Sequence, residues 1–386
     1  MTGVDESVVD VLLPVRDGAA YLAESIRSLQ QQTHEAWRLL VLDDGSSDRT
    51  REIAASFAQG DRRIELKAFP RRGLVPTLNA GIELCTADIV ARQDADDTSL
   101  PSRFAFQVAY LRDHPECLAL SGGRTMIDGQ GGLVDGPWSP PGPAGQDPFS
   151  VPAREPYLMH PFLMVRRDAL MRLGGYRHYL HCEDADLCWR LSEDGVTVSA
   201  SEIMGAYRTH RDSVSVHSIV NTRIQALLSQ VAAIAAQRRR SGRGDIVPEP
   251  ELGEMLRAAR TLDSMIEVLG DRLRPDEFRF LRTAGAMKLF EIAFYRPVSL
   301  ERSDLHFARR ALAARPELSS SNLRELSILC RRMWAILREK GEIALAAEIG
   351  PAVWGRLLIG SRLRAFGLFR DPGAASPPHH PQQPGR

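Results

Sequence analysis

The sequence carries no excess of charge. Lysine plus arginine and aspartate plus glutamate both number 49 in 386 residues. A neutral chain has no general field to draw in nucleic acid or anionic lipid, so nucleic acid is not an expected partner and any such contact must be local. Cysteine is scarce: Cys85, Cys117, Cys182, Cys188 and Cys330 are scattered, odd in number and form no CxxC pair. That argues against a disulfide framework or a structural zinc site and suits a reducing compartment. No apolar run approaches the ~18 residues of a membrane span. The opening "MTGVDESVVDVLLPV" lacks the basic stretch that precedes the apolar run of a secretory leader. A cytoplasmic protein is the expectation.

What is present is ordinary globular composition, 44% hydrophobic and 25% charged, at a length that predicts about two domains. Apolar runs at 8–15, 37–44, 63–69, 88–94 and 117–123 read as strands. Helical spacing fills the intervals at 19–32, 48–58, 75–85 and 101–114. This alternation predicts an α/β fold, a mostly parallel sheet with helices on both faces. From about 124 to 157 the pattern dissolves, and the Pro- and Gly-rich 135–156 stretch reads as a long irregular loop. A helix is expected at 184–195 and two strands in "VTVSA" and "IMGAYRTH". Beyond 217 follow amphipathic helices at 219–240, 251–270, 276–294, 303–314 and 322–341. Residues 371–386 have the composition of a disordered tail.

The segment "DIVARQDADD" (88–97) ends a strand in Asp94, Asp96 and Asp97. Carboxylates packed this closely repel one another. In parallel sheets ligands bind beyond the carboxyl ends of the strands, and Asp43-Asp44 ends another strand on the same rim. In an extended segment Asp94 and Asp96 project together. Hard oxygen ligands suit Mg²⁺ or Mn²⁺, which leave further positions to phosphate and water. A solvated acidic turn with Asp97 as a helix N-cap is the competing reading.

Other segments narrow the choice. "PVRDG" (14–18), "VLDDGSSD" (41–48), "ARQDADDTSLPSRF" (91–104), "HPFLMVRR" (160–167), "LGGY" (173–176), "CEDADLCWRL" (182–191) and "YRTHRDSVS" (207–215) occur in order. Together, over about 7–218, they resemble the family 2 glycosyltransferases, whose catalytic domain has the GT-A fold. Arg16-Asp17 departs from the Tyr-Asn usual in that pattern. The resemblance implies a catalytic domain at 1–218, with a nucleotide-binding half at about 7–124 and an acceptor half at 125–218. The helical region at 219–370 then follows.

The resemblance also implies roles. Pro14, Val15 and Asp17 would lie at the nucleotide base, with Asp44 accepting from a uracil-like N–H. Asp94 would hold the ribose, and Asn79 and Arg92 would stand nearby. Asp96 would bind Mn²⁺ or Mg²⁺, and His210 would join it or contact the diphosphate. Asp184 would be the catalytic base, with Glu183 as the neighbouring candidate. Inverting transfer needs one carboxylate to take the acceptor proton, and the metal neutralises the departing diphosphate. The simpler role for Glu183 and Asp184 is to favour a positive helix N-terminus. Gly174-Gly175-Tyr176 would turn beside the donor sugar. His178, His181 and Cys182 fit no zinc spacing and read as a mobile acceptor loop.

The implied reaction moves a sugar from a nucleotide diphosphate donor, a UDP-sugar, to a hydroxyl of a glycan or lipid-linked acceptor in surface polysaccharide synthesis. A non-catalytic nucleotide-sugar-binding scaffold would lack a metal ligand or a base. A nucleotidyltransferase would want a basic, Gly-rich loop where "PVRDGAAYL" stands. A receiver domain would need an Asp ending the third strand, and "RIELKAF" has none. Lastly, 352–370 interleaves aromatic and leucine residues with four arginines and no acid. Two readings stay open for it: a helix packed on the bundle, or a peripheral anchor on the inner face of the membrane.

Overall fold

A computed structural model describes residues 7–140, 145–210, 218–296 and 298–313, with Ile328 beyond them. The expected helix at 322–341 (Ile328 apart), the basic segment at 352–370 and the tail at 371–386 lie outside the described residues. In chain order the elements are β1 (Val9–Val15), α1 (Leu22–Gln30), β2 (Trp37–Asp44), α2 (Thr50–Gly60), β3 (Ile64–Phe69), α3 (Leu74–Leu84), β4 (Ile89–Arg92), β5 (Thr98–Ser99), α4 (Arg103–Asp113), β6 (Cys117–Ile127) and β7 (Leu133–Trp138). There follow a 3₁₀ turn (His160–Phe162), β8 (Met164–Arg166), α5 (Arg167–Arg172), α6 (Glu183–Asp194) and β9 (Val196–Arg208). The helical region comprises α7 (Ile219–Arg240), α8 (Leu252–Ala259), α9 (Leu262–Gly270), α10 (Pro275–Tyr295) and α11 (Arg302–Ala313).

One sheet runs β3-β2-β1-β4-β8-β6-β9-β5, with β7 paired to β6. The first half of the sheet is parallel: β1 pairs with β2 and β4, and β2 with β3. The second half is mixed, because β8 enters antiparallel to both β4 and β6 while β6 and β9 run parallel. Every residue of β1 is buried, as expected of a strand covered on both faces. Val9, Val11 and Leu13 share a core with Leu22 of α1, Ala54 of α2 and Phe104 of α4. Leu12 points the other way, into a core with Leu78 of α3, Leu170 of α5 and Leu187 of α6. The period-2 alternation of one strand thus divides the helices between the two faces.

α3 lies unusually close to the sheet. A Cβ at Gly81 would sit 2.4 Å from Leu42 Cδ1 and 2.9 Å from Leu12 Cδ2. Gly81→Val is therefore expected to destabilise the protein by about 1–3 kcal/mol through overpacking. Urea denaturation checks this; an unchanged midpoint would contradict the close packing.

The 124–157 stretch is more ordered than its composition predicts. β6 runs on to Ile127 and turns into β7. The turn is built by Asp128, whose carboxylate accepts from the N–H groups of Gln130 and Gly132 at 2.8 Å each, with Gly131 at φ 85°. Gly136 and Pro137 are tolerated because β7 pairs on one side only. The two strands expected around 196–210 form one strand, β9, with irregular register against β6. The single helix expected at 251–270 is broken at Arg260, φ 60°, and restarts through a capping box between Thr261 and Ser264. α4 begins at Arg103 behind Ser102, so Asp97 is not its N-cap.

α7 is apolar on nearly every side and buried accordingly. Among the described residues it is the one helix long and apolar enough to cross a membrane, but 78% of that window is buried inside the protein. Its core takes in Tyr179, Cys182 and Trp189 from the sheet domain. α7 and α10 also grip the 147–156 segment. Gln230 accepts from Ala153 N at 2.9 Å, Gln237 donates to the Pro148 carbonyl at 2.6 Å, and Lys288 pairs with Glu155 at 3.2 Å.

Candidate active site

The loops after β1 and β2 are knitted together by short polar side chains. Asp17, at φ 51°, accepts from Ser47 N at 2.7 Å and Ser47 Oγ at 3.0 Å. Its own N–H donates to Ser46 Oγ at 2.9 Å, and Gly18 N donates to Thr50 Oγ1 at 2.9 Å. Asp48 accepts from Ala19 N at 3.0 Å. The serines and Asp48 of "DDGSSD" thus hold the first loop in place, a role that sequence reading missed. Pro14 and Val15 close β1 beside Leu42 and Asp43.

The paired acids ending β2 divide their work. Asp43 is fully buried, accepts from Ser46 N at 3.1 Å and pairs with Arg51. Asp44 accepts from Arg72 N at 2.7 Å and Gly73 N at 3.0 Å, fixing the loop that leads into α3. Asn79 uses both ends of its amide on Tyr176, donating to its carbonyl at 2.9 Å and accepting from its N–H at 2.8 Å. That contact ties α3 to the Gly174-Gly175-Tyr176 turn, in which both glycines have positive φ.

At the end of β4, Asp94, Asp96 and Asp97 offer carboxylate oxygens within 4.8 Å of one another. Arg92 pairs with Asp94 at 2.5 Å. Asp96 accepts from or faces His210 Nε2 at 3.0 Å, and the His210 ring packs on Tyr21 at 4.7 Å. The structure thus brings together the two residues expected at a metal, 114 positions apart in sequence. Burial and the Asp94 charge raise the Asp96 carboxyl, and the His210 contact partly offsets them. Asp97 is buried; burial, then the charges of Asp94 and Asp96, push it well above the usual range. Its Oδ1 accepts from Arg208 N at 2.7 Å, while its Oδ2 is buried with no hydrogen-bond partner. An all-oxygen acidic set with one orphaned buried carboxylate oxygen fits a hard divalent cation.

Arg208 holds this cluster and was not singled out from sequence. It is buried and donates to the Asp96 carbonyl at 2.8 Å, the Asp128 carbonyl at 3.1 Å and Glu24 at 2.6 Å. The available signal was its position two residues before His210 in a run expected as one strand, though β9 ends at Arg208. Arg208→Met is expected to cost about 1–3 kcal/mol by leaving buried carbonyls unpaired. It should also weaken cation-dependent nucleotide binding. Urea denaturation and calorimetry check the two effects, and full retention of both would remove Arg208 from its positioning role.

A second acidic group stands at the N-terminus of α6. Burial and the neighbouring Asp184 raise the Glu183 carboxyl to about 8. Burial raises Asp184 to about 6, opposed by the Ala185 N–H that donates to it at 2.8 Å. Burial raises both carboxyls and each charge disfavours the other, so the pair favours a single negative charge. The charge of Asp94 acts on both, so the two acidic groups lie near one another. His160, bonded to the Tyr176 hydroxyl at 2.8 Å, is held neutral: burial, then Arg92, lower it to about 3. The 178–182 segment, expected as a mobile loop, is packed instead. Tyr179 is buried with its hydroxyl donating to the Ile246 carbonyl at 2.8 Å, and Cys182 is buried beneath α7.

Several known proteins are similar to this chain. The model of the family described as "Glycosyl transferase family 2" matches residues 10–174. The putative glycosyltransferase EpsE of Bacillus subtilis is 32% identical over 192 residues, covering 48% of this chain and 67% of that protein. The amylovoran biosynthesis glycosyltransferase AmsE of Erwinia amylovora is 31% identical over 182 residues, 46% of this chain and 66% of that one. The O-antigen biosynthesis glycosyltransferase WbnJ of Escherichia coli is 26% identical over 212 residues, 53% of this chain and 81% of that one. Among solved structures, the Pyrobaculum calidifontis mannosyltransferase PcManGT, in complex with GDP-Man and Mn²⁺, aligns over 93% of this chain and 87% of its own, with 16% identity and a TM-score of 0.47.

Proposed function

Because the chain belongs to glycosyl transferase family 2, we propose that it moves a hexose from a UDP-sugar to a hydroxyl of a glycan or lipid-linked glycan, with inversion at the anomeric carbon. The observation that carries this reading is the acidic cluster at the end of β4, with its orphaned buried oxygen and the His210 ring against Asp96. The charge of Asp94 in that cluster acts on Asp184.

Asp96 and His210, which meet at 3.0 Å, would hold Mn²⁺ or Mg²⁺. When bound, such a cation neutralises charge on the departing diphosphate. Asp184 takes the proton of the acceptor hydroxyl at its carboxylate; because the diphosphate leaves with its charge neutralised, no carboxylic acid is needed to protonate it. Glu183, protonated, leaves the single negative charge of the pair on Asp184. Pro14, Val15, Asp17 and Asp44 frame the nucleotide base. Arg92 aligns Asp94 for the ribose, and Asn79 sets the turn beside the donor sugar. The relatives named for amylovoran and O-antigen biosynthesis support a role in surface polysaccharide assembly. A donor-hydrolysis screen across nucleotide sugars with Mn²⁺ and Mg²⁺ tests the reading. UDP-sugar cleavage that requires the cation is the expected result, and no cleavage of any donor would overturn it.

A further inference from the structure

The acceptor half carries two aromatic side chains that the reaction chemistry does not use. Trp138 ends β7 and Tyr157 lies in the segment leading to the 3₁₀ turn. Their rings meet edge to face at 90°, with centroids 5.8 Å apart. Both stay open to solvent, at 37% and 47% exposure. The Arg124 guanidinium sits 5.3 Å from the Trp138 ring and pairs with Asp135 at 3.3 Å.

The segment beneath Tyr157 is held at many points. Glu155 pairs with Lys288 at 3.2 Å, and Ser199 Oγ donates to the Tyr157 carbonyl at 2.6 Å. Met159 N donates to Ser121 Oγ at 3.0 Å, and His160 bonds Tyr176 at 2.8 Å. Leu158 shares a buried core with Leu187 and Cys188 of α6, so the segment lies against the helix that begins with Glu183 and Asp184. A large aromatic surface left exposed on pinned backbone marks a binding site.

We propose that Trp138 and Tyr157 form the subsite that holds a pyranose ring of the acceptor beside Asp184. A pyranose presents one face of C–H groups, apolar and slightly positive, and a rim of hydroxyls. The negative face of an aromatic ring matches the C–H face, and Arg124 and Asp135 stand ready for the hydroxyl rim. Two rings at right angles admit a ring-shaped ligand in one orientation, which would present one of its hydroxyls to Asp184. This subsite rests on the glycosyl-transfer reading and specifies its acceptor as a saccharide.

The test is ligand-observed saturation-transfer NMR on the full chain with UDP and Mn²⁺. The probes are methyl glycosides of glucose, galactose, mannose and N-acetylglucosamine. At least one glycoside should receive saturation at its ring C–H protons. Trp138→Ala should weaken that binding by about tenfold or more, while Trp138→Phe, which keeps an aromatic face, should stay within about threefold of the parent. Val134→Ala, exposed on the same hairpin, should leave it unchanged. Equal binding by the parent and by the Trp138→Ala, Tyr157→Ala double variant would overturn the subsite, as would no glycoside binding at all. Calorimetry of UDP on the same samples separates the two failures. UDP bound without a sugar effect defeats the subsite alone, and no UDP binding defeats the underlying reading.

Discussion

Asp184→Asn should bind the nucleotide diphosphate as the parent does, yet transfer sugar at least about 10²-fold more slowly, the usual loss when a positioned base is removed. Its amide preserves the shape and can still accept from Ala185 N, which Asp184 now does at 2.8 Å. What it loses is the ability to accept a proton. The same assignment sets the pH dependence of the parent enzyme. Burial raises Asp184 to about 6, so turnover should fall as pH drops through that value and the base becomes protonated. Removing Asp184 also removes the charge that holds Glu183 up, so the Glu183 carboxyl in the variant should titrate lower. Single-turnover transfer with saturating acceptor decides the matter. Near-parental rates in Asp184→Asn would move the base to Glu183.

Asp96→Ala should abolish the cation-dependent part of nucleotide diphosphate affinity without unfolding the chain. Asp96 stands in a cluster of like charge, and its raised carboxyl shows that the ionised form is unfavourable there. Removing it relieves repulsion on Asp94 and Asp97 and leaves the Arg208 contacts to the Asp96 backbone carbonyl and to Asp97 intact. Stability near neutral pH should therefore hold or rise slightly. Binding should suffer because a small hard cation takes only one or two protein carboxylates, so losing one leaves too few. In the parent, a chelator should reproduce the loss; in Asp96→Ala, the chelator should change nothing further. Unchanged Mn²⁺-dependent affinity by calorimetry would remove Asp96 from the metal site.

By itself the sequence determined the parallel half and where its acids stand. Apolar runs of strand length alternating with helical periods admit few topologies, and residues ending such strands share one rim. Asp44, Asp94 and Asp96 could be placed there because strand periodicity is local. The tertiary structure decided the rest, because the rest depends on contacts between distant segments. That Asp96 meets His210, and that Arg208 ties Asp96, Asp97 and Asp128 together, follows from where β9 lies beside β6 and β5. The linear motif sets Asn79 and Asp17 near the nucleotide. That Asn79 also bonds Tyr176, and Asp17 also bonds Ser46 and Ser47, no local pattern encodes. The β6–β7 hairpin was hidden because glycine and proline read as loop, although a strand paired on one side tolerates both. That Glu183 and Asp184 are both raised likewise needed three dimensions, since burial and facing charge set how readily the pair ionises, and burial is not a property of neighbouring letters.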